Sequence, residues 1–175
     1  SILHRLKSDD NVPVLVSNYI SHENKGFGGT GAGMKLGLDG KVYLWSSSFV
    51  MRINADGTEK EGTDTLTSDT AITGITANAD GLMGVSVAHF ASRVIIASPD
   101  FSAVGYTDGF FHGDTRWGDP SDVAVGAVSG DFYGMDLYRN QIVRIARSTG
   151  NKVNTFEIDS VGNYSMMSSV TFGVC

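Results

Sequence analysis

Gly118 to Asn151 reads GDPSDVAVGAVSGDFYGMDLYRNQIVRIARSTGN, and its punctuation divides it into short strands. Pro120 opens it and Asp122-Val123-Ala124-Val125 is a first apolar run, closed by the turn Ser129-Gly130-Asp131. Phe132 to Met135 is a second run, Leu137 to Asn140 a loop, and Gln141 to Arg147 a third run. Runs of this length, rich in Val, Ile and aromatics and bounded by Gly, Asp and Asn, are strand signals. A meander this small cannot bury both faces of its own sheet, so what matters is whether it recurs.

It does recur. Gly31 to Thr58 (GAGMKLGLDGKVYLWSSSFVMRINADGT) gives Met34–Leu38, an Asp39-Gly40 turn, Lys41–Trp45 and Phe49–Ile53. Ile72 to Phe101 gives Thr73–Thr76, Asp80-Gly81, Leu82–Val87 and Arg93–Ala97. The Asp-Gly pairs read as two-residue hairpin turns, which need positive φ. Turn glycines Gly40, Gly81 and Gly130 lie 41 and 49 residues apart, inside the roughly 40–50-residue period of propeller blades. The longer interval holds an insertion, Thr107 to Trp117. Fourth strands are expected near 63–67, 104–107 and 153–158, and Asn18–Thr30 as an inter-blade loop. At the N-terminus, Ile2–Asp10 matches the end of a third strand with its turn, followed by Val12–Val16 as a fourth; Pro13 requires that strand to lie on an edge. Ser168–Val174 matches a first strand. The expectation is therefore an all-β chain: one β-propeller domain or fragment over 1–175, with four-stranded antiparallel blades at about 31–67, 72–107 and 119–158. Partial blades occupy 1–20 and 168–175. A four-bladed ring closed by its own ends is less favoured than a larger or shared ring.

Composition limits the function. The net charge of −6 comes with 13 Lys and Arg scattered without a cluster, which argues against nucleic acid. No apolar run approaches the ~18–20 residues of a membrane span. Ser1–Arg5 does not have the pattern of a signal peptide. Cys175 is the one cysteine, so an internal disulfide is ruled out and cysteine usage says nothing about redox compartment.

Pro120-Ser121-Asp122-Val123-Ala124-Val125, Gly130-Asp131-Phe132-Tyr133-Gly134-Met135-Asp136 and Asn140-Gln141-Ile142-Val143-Arg144-Ile145 resemble the strand signatures of NHL-repeat β-propellers. Gly40-Lys41-Val42-Tyr43 and Gly81-Leu82-Met83-Gly84-Val85 keep the outline in the other blades. Within that group the third blade is most similar to peptidylglycine-amidating lyases, and also to streptogramin lyases and six-bladed lactonases. The resemblance to the amidating lyases implies metal-binding His on the opening strands of several blades. The matching positions here are Gly33-Met34, Thr73-Gly74, Ser121-Asp122 and Ser168-Ser169, and none is His.

The richest loop holds Phe110, Phe111, His112, Asp114, Arg116 and Trp117, aromatics beside charges of both signs, and reads either as a rim binding a small molecule, glycan or peptide or as a loop whose aromatics cover a blade edge. Arg52, Arg93 and Arg144 recur at similar third-strand places, either as channel residues for an anion or as braces between blades. His89 reads as a loop cap, and His4 and His22 as solvent-facing. Asp39, Asp56, Asp80 and Asp136 read as turn residues, since the spacing of an EF-hand is absent. Gly26–Gly31 lacks the Lys-Ser/Thr ending of a phosphate loop, and no Gly-x-Ser-x-Gly elbow occurs.

The leading expectation is a non-catalytic binding or assembly module that uses the Thr107–Trp117 rim and the channel mouth, in an extracellular or periplasmic setting. No metal site or cofactor is assigned to it. The alternatives are part of a propeller enzyme, a lyase or lactone hydrolase with Ca or Zn at the channel mouth, and a subunit of a filament, coat or surface layer. Self-association, or a second chain completing the ring, is the expected partnership.

Overall fold

The computed structural model describes residues 2–9, 12–21, 33–46, 49–58, 61–63, 71–88, 93–106, 122–136 and 141–158. These form strands and turns, with no helix among them. Strands β1 (Ile2–Asp9) and β2 (Val12–Ser21) pair antiparallel. Three four-stranded meanders follow. The first is β3 (Gly33–Leu36), β4 (Val42–Trp45), β5 (Val50–Ile53) and β6 (Glu61–Thr63). The second is β7 (Ala71–Ala77), β8 (Met83–Ala88), β9 (Arg93–Ala97) and β10 (Ala103–Tyr106). The third is β11 (Val123–Val125), β12 (Phe132–Asp136), β13 (Gln141–Ile145) and β14 (Lys152–Glu157). Every neighbouring pair is antiparallel. This is the expected succession of blades, a partial β-propeller. The proposed partial blade at 168–175 lies outside the described residues.

The blades stack face to face because strand alternation gives each sheet two apolar sides. β7 packs on β3 and β4, and β11 packs on β7 and β8. Tyr43, Trp45 and Val50 of the first blade share a core with Ile75, Met83, Val85 and Ile95 of the second. From the other side of the second blade, Val94 and Ile96 join Val123, Phe132, Val143 and Ile145 of the third. Each fully buried side chain of this size contributes about 1.5–3 kcal/mol. Gly84 lets the second and third blades approach: a Cβ there would stand 2.5 Å from the Phe132 ring.

Polar links lock the same seams. Leu38 N donates to Ala77 O at 2.9 Å and Asn78 Nδ2 to Gly130 O at 3.5 Å. Arg147 donates to Asp80 at 2.9 Å, with both side chains exposed, so this pair adds little.

Several sequence expectations are corrected. The Asp-Gly turns enclose three residues rather than two: Gly37 N bonds Lys41 O, Asn54 N bonds Thr58 O, and Asn78 N bonds Leu82 O. Each is a tight turn followed by a left-handed residue, Gly40, Gly57 or Gly81 at φ 77°, 89° and 80°. Positive φ is met, but at one position instead of two. Asp39 and Asp56 do serve as turn residues, accepting from Lys41 N and Thr58 N; in the Asp80 turn Asn78 Oδ1 plays that part for Asp80 N and Leu82 N. Asp136 ends β12 opposite Gln141 and is fully buried. β6 starts at Glu61, two residues before the expected place, because Glu61 pairs with Arg52 across the ladder. β2 runs on to Ser21, into the stretch expected as a loop. β13 stops at Ile145, where Ala146 N bonds Asn151 O to close a four-residue turn.

Candidate channel-side site

The first strands of the three meanders are neighbours, β7 touching both β3 and β11. A polar contact spans from the first to the last of them. Lys35 on β3 reaches past the second blade to the start of β11, where its Nζ donates to Val123 O at 2.9 Å and lies 3.3 and 3.4 Å from the two oxygens of Asp122. The Lys35 side chain is 24% exposed and that of Asp122 10%. Asp122 is fixed from its own blade, because Val123 N donates to Oδ1 at 2.8 Å and Met135 N donates to the Asp122 carbonyl at 3.2 Å.

The middle strand is shaped to let this contact through. β7 pairs Ile72 with Val87 and Gly74 with Ser86, so Thr73 is an extra residue, a bulge. Bulges redirect side chains and gather near functional sites. Thr73 Oγ1 lies 3.0 Å from Ser86 Oγ, and Ser86 Oγ donates to Gly74 O at 3.2 Å. Gly74 borders the carboxylate so closely that a Cβ would stand 2.5 Å from Asp122 Oδ1. A carboxylate, an ammonium and two hydroxyls are thus brought to one place by three blades. Ser86 is fully buried and turned to the backbone.

Thr73-Gly74 and Ser121-Asp122 are opening-strand positions at which the resemblance to metal lyases implies His ligands, and none of these residues is His. Lys35, Thr73 and Ser86 were not singled out as site residues. A lone Lys in a strand has no motif, and its partner lies 87 residues away.

The three arginines do not converge. Register places Arg52 opposite Tyr43 and Arg144 opposite Tyr133, whereas Arg93 starts its strand opposite Val87. The residue equivalent to Arg52 in the second blade is Ile96, opposite Gly84. Arg52 pairs with Glu61 on its own edge strand and lies 5.4 Å from the ring centre of Phe101 in the next blade. Arg144 holds Asp131 through Nε at 2.8 Å and Nη2 at 2.6 Å, and that hydrogen bond raises the guanidinium pKa. Beside Arg52, burial raises the pKa of the Tyr43 phenol, and its hydrogen bond to Asp39 at 2.8 Å adds to the effect.

Phe110, Phe111, His112, Asp114, Arg116 and Trp117 lie outside the described residues, as do His22 and His89. Among the described residues no group of three or more His, Cys, Asp or Glu could hold a metal ion, and no helix is long and apolar enough to cross a membrane.

No family model matches the chain, and neither does any curated protein. Among solved structures it is similar to a catalytically inactive virginiamycin B lyase from Staphylococcus aureus with quinupristin, at TM-score 0.60 and 19% identity, covering 87% of this chain and 47% of that one. It is also similar to apo AztD from Citrobacter koseri, at TM-score 0.58 and 11% identity over 88% of this chain and 41% of that one. BamB from Moraxella catarrhalis matches at TM-score 0.51 and 9% identity over 73% and 35%. The chain spans about half the length or less of these propellers. At such identities the likeness is one of fold.

Proposed function

We propose that the chain is a non-catalytic propeller binding module. Its ligand site is the channel side where Lys35, the Thr73 bulge and Asp122 meet, with the Thr107–Trp117 loop as rim. The observation that carries this reading is the contact from Lys35 to Asp122 across three blades. Its two carboxylate distances, 3.3 and 3.4 Å, are long for a charge-assisted bond, and Lys35 remains partly open to solvent. An incoming anionic or carbonyl oxygen can take over one ammonium hydrogen while Asp122 accepts from a ligand N–H or O–H. A short peptide or a sugar offers both groups.

A second reading, part of a propeller lyase or lactone hydrolase with Ca or Zn at the channel mouth, draws support from the fold likeness to virginiamycin B lyase. Ligand-observed NMR with short peptides, simple sugars and quinupristin separates the two. The binding reading expects contacts that disappear in Lys35→Met/Asp122→Asn, with no probe converted whether Ca or Zn is added or not. Conversion of quinupristin, or contacts unchanged by the double substitution, refutes it.

A further inference from the structure

Gly33–Trp45–Val50, Gly74–Ser86–Val94 and Asp122–Met135–Ile142 form one register row in successive blades. In the first two blades the first-strand residue of this row is glycine, and the side chain opposite lies over it. A Cβ on Gly74 would stand 3.0 Å from Ser86 Oγ, which donates to Gly74 O at 3.2 Å. On Gly33 it would stand 2.3 Å from Trp45 Cζ2 and 2.7 Å from Cε2, the carbon that carries the ring nitrogen. The nitrogen-bearing edge of the indole therefore lies over β3, as the Ser86 hydroxyl lies over β7. The two differ in what their donors meet. Ser86 has a carbonyl, whereas Trp45 Nε1 is buried and has no hydrogen-bond partner among the described residues. A buried donor without an acceptor is destabilising, and native proteins keep few of them.

A charged donor shares this face. Strand alternation puts Gly33 and Lys35 on one side of β3, and Trp45 and Tyr43, their partners on β4, both enter the core shared with the second blade. The Lys35 ammonium ends at Asp122, a residue of the same row as Gly33 and Trp45, and its distances of 3.3 and 3.4 Å to that carboxylate leave it loosely held. We propose that Trp45 Nε1 and Lys35 Nζ together hold the two oxygens of one ligand carboxylate. The inference rests on the channel-side binding reading and narrows its ligand to a carboxylate-bearing molecule, such as a peptide with a free C-terminus, whose neighbouring N–H faces Asp122. An indole N–H only donates and an ammonium only donates. A carboxylate answers both because it only accepts, whereas a sugar hydroxyl brings a hydrogen of its own. Lys35 also supplies the opposite charge that lets a carboxylate leave water.

The indole N–H signals of the isotope-labelled chain, followed by NMR, test this directly. The chain has two tryptophans, so Trp117→Phe assigns both signals. N-acetylglycine should move the Trp45 indole proton downfield, and N-acetylglycinamide, which has an amide in place of the carboxylate, should leave it where it is. Lys35→Met should abolish the shift. Trp45→Phe keeps a ring in the core without the N–H, and should weaken N-acetylglycine binding roughly ten- to hundredfold. The shift is read on the intact protein and decides the matter even where Trp45→Phe does not fold. An indole signal that moves equally with both probes overturns the carboxylate assignment. So does one that stays still while N-acetylglycine or a simple sugar makes contacts that Lys35→Met/Asp122→Asn removes; in that case the binding reading stands. If no probe makes such contacts, both fall.

Discussion

Ser98 N bonds Ser102 O around a turn built like those at Gly40, Gly57 and Gly81, but its left-handed residue is Phe101, at φ 67°. A left-handed conformation costs an L side chain roughly 1–2 kcal/mol. The phenylalanine packs against the core between the first two blades, and the Arg52 guanidinium lies 5.4 Å from its ring centre. Complete loss of a buried Phe costs about 3–5 kcal/mol. For a half-buried ring about half of that applies, and the cation–π contact adds about 1 kcal/mol. Phe101→Ala should therefore cost about 2.5–3.5 kcal/mol, since it loses the packing and keeps the strain. Phe101→Gly loses the same packing but relieves the strain. Against that relief stands about 0.4–1 kcal/mol for the greater freedom of Gly in the unfolded chain. Glycine should come out the more stable of the two variants by about 0.5–1 kcal/mol. Urea unfolding of the three proteins, with equal slopes, measures both differences. If alanine equals or exceeds glycine, the backbone at this position is not strained and the reasoning fails. If neither variant loses stability, the Arg52–Phe101 seam contributes nothing.

Gly74→Ala should push Asp122 away from Lys35 without removing a charge, abolishing ligand contacts at the channel side and costing about 1–3 kcal/mol by chemical denaturation; retention of both binding and stability would remove Gly74 from the site. The Tyr43 phenol has its pKa raised, chiefly by burial, so its contribution to stability is complete below the ordinary tyrosine pKa and is lost as pH rises toward its folded value. Ultraviolet titration should find one of the six tyrosines still neutral after exposed ones have ionised, and Tyr43→Phe should remove that lag. The Ser98 hydroxyl, followed by Ser102, lowers the Asp100 pKa, so this carboxylate supports folding above its ordinary pKa and stops doing so as pH falls through the lowered value. Asp100→Asn should flatten the acid limb of the stability curve, and an unchanged limb would contradict the lowered pKa.

What could be read from the sequence was whatever has a short-range physical cause. Alternating apolar runs located β4, β5, β8, β9, β12 and β13, because a strand buried on both faces needs little beyond its own residues and two turns. Asp-Gly located the turns but not their size, since the same pair suits a two-residue turn with positive φ at both positions and a three-residue turn with positive φ at the glycine alone. Equivalence between blades was harder to read. Counting from turn glycines aligned Arg93 with Arg52 and Arg144, but the hairpin between the second and third strands is longer in the second blade: Tyr43 pairs with Arg52, nine residues on, whereas Gly84 in the same row pairs with Ile96, twelve residues on. Register, which pairs Arg93 with Val87, is fixed by packing across the whole blade, and no local count reproduces it. Phe101 in place of a turn glycine was equally hidden, because the Arg52 that holds it belongs to another blade.

The channel-side contact is the extreme case of this limit. Lys35 shares its register row with Thr76 and Ala124, and Tyr43 stands opposite it. Nothing in Met34-Lys35-Leu36 marks the lysine as more than a polar residue in an alternating strand. The surroundings of its ammonium are set by three decisions made elsewhere: an extra residue at Thr73, a missing side chain at Gly74, and an acid immediately before β11. Each has an ordinary local reading. Thr favours strands, Gly punctuates them, and Asp next to an apolar run hydrogen-bonds its own backbone, as Asp122 does with Val123 N. Only the stacking of blades places these residues at one point. Inner-strand positions are therefore where a repeat architecture concentrates function. Each blade can vary its own residue there at little cost to its sheet, while the set taken together defines a site that no single blade contains.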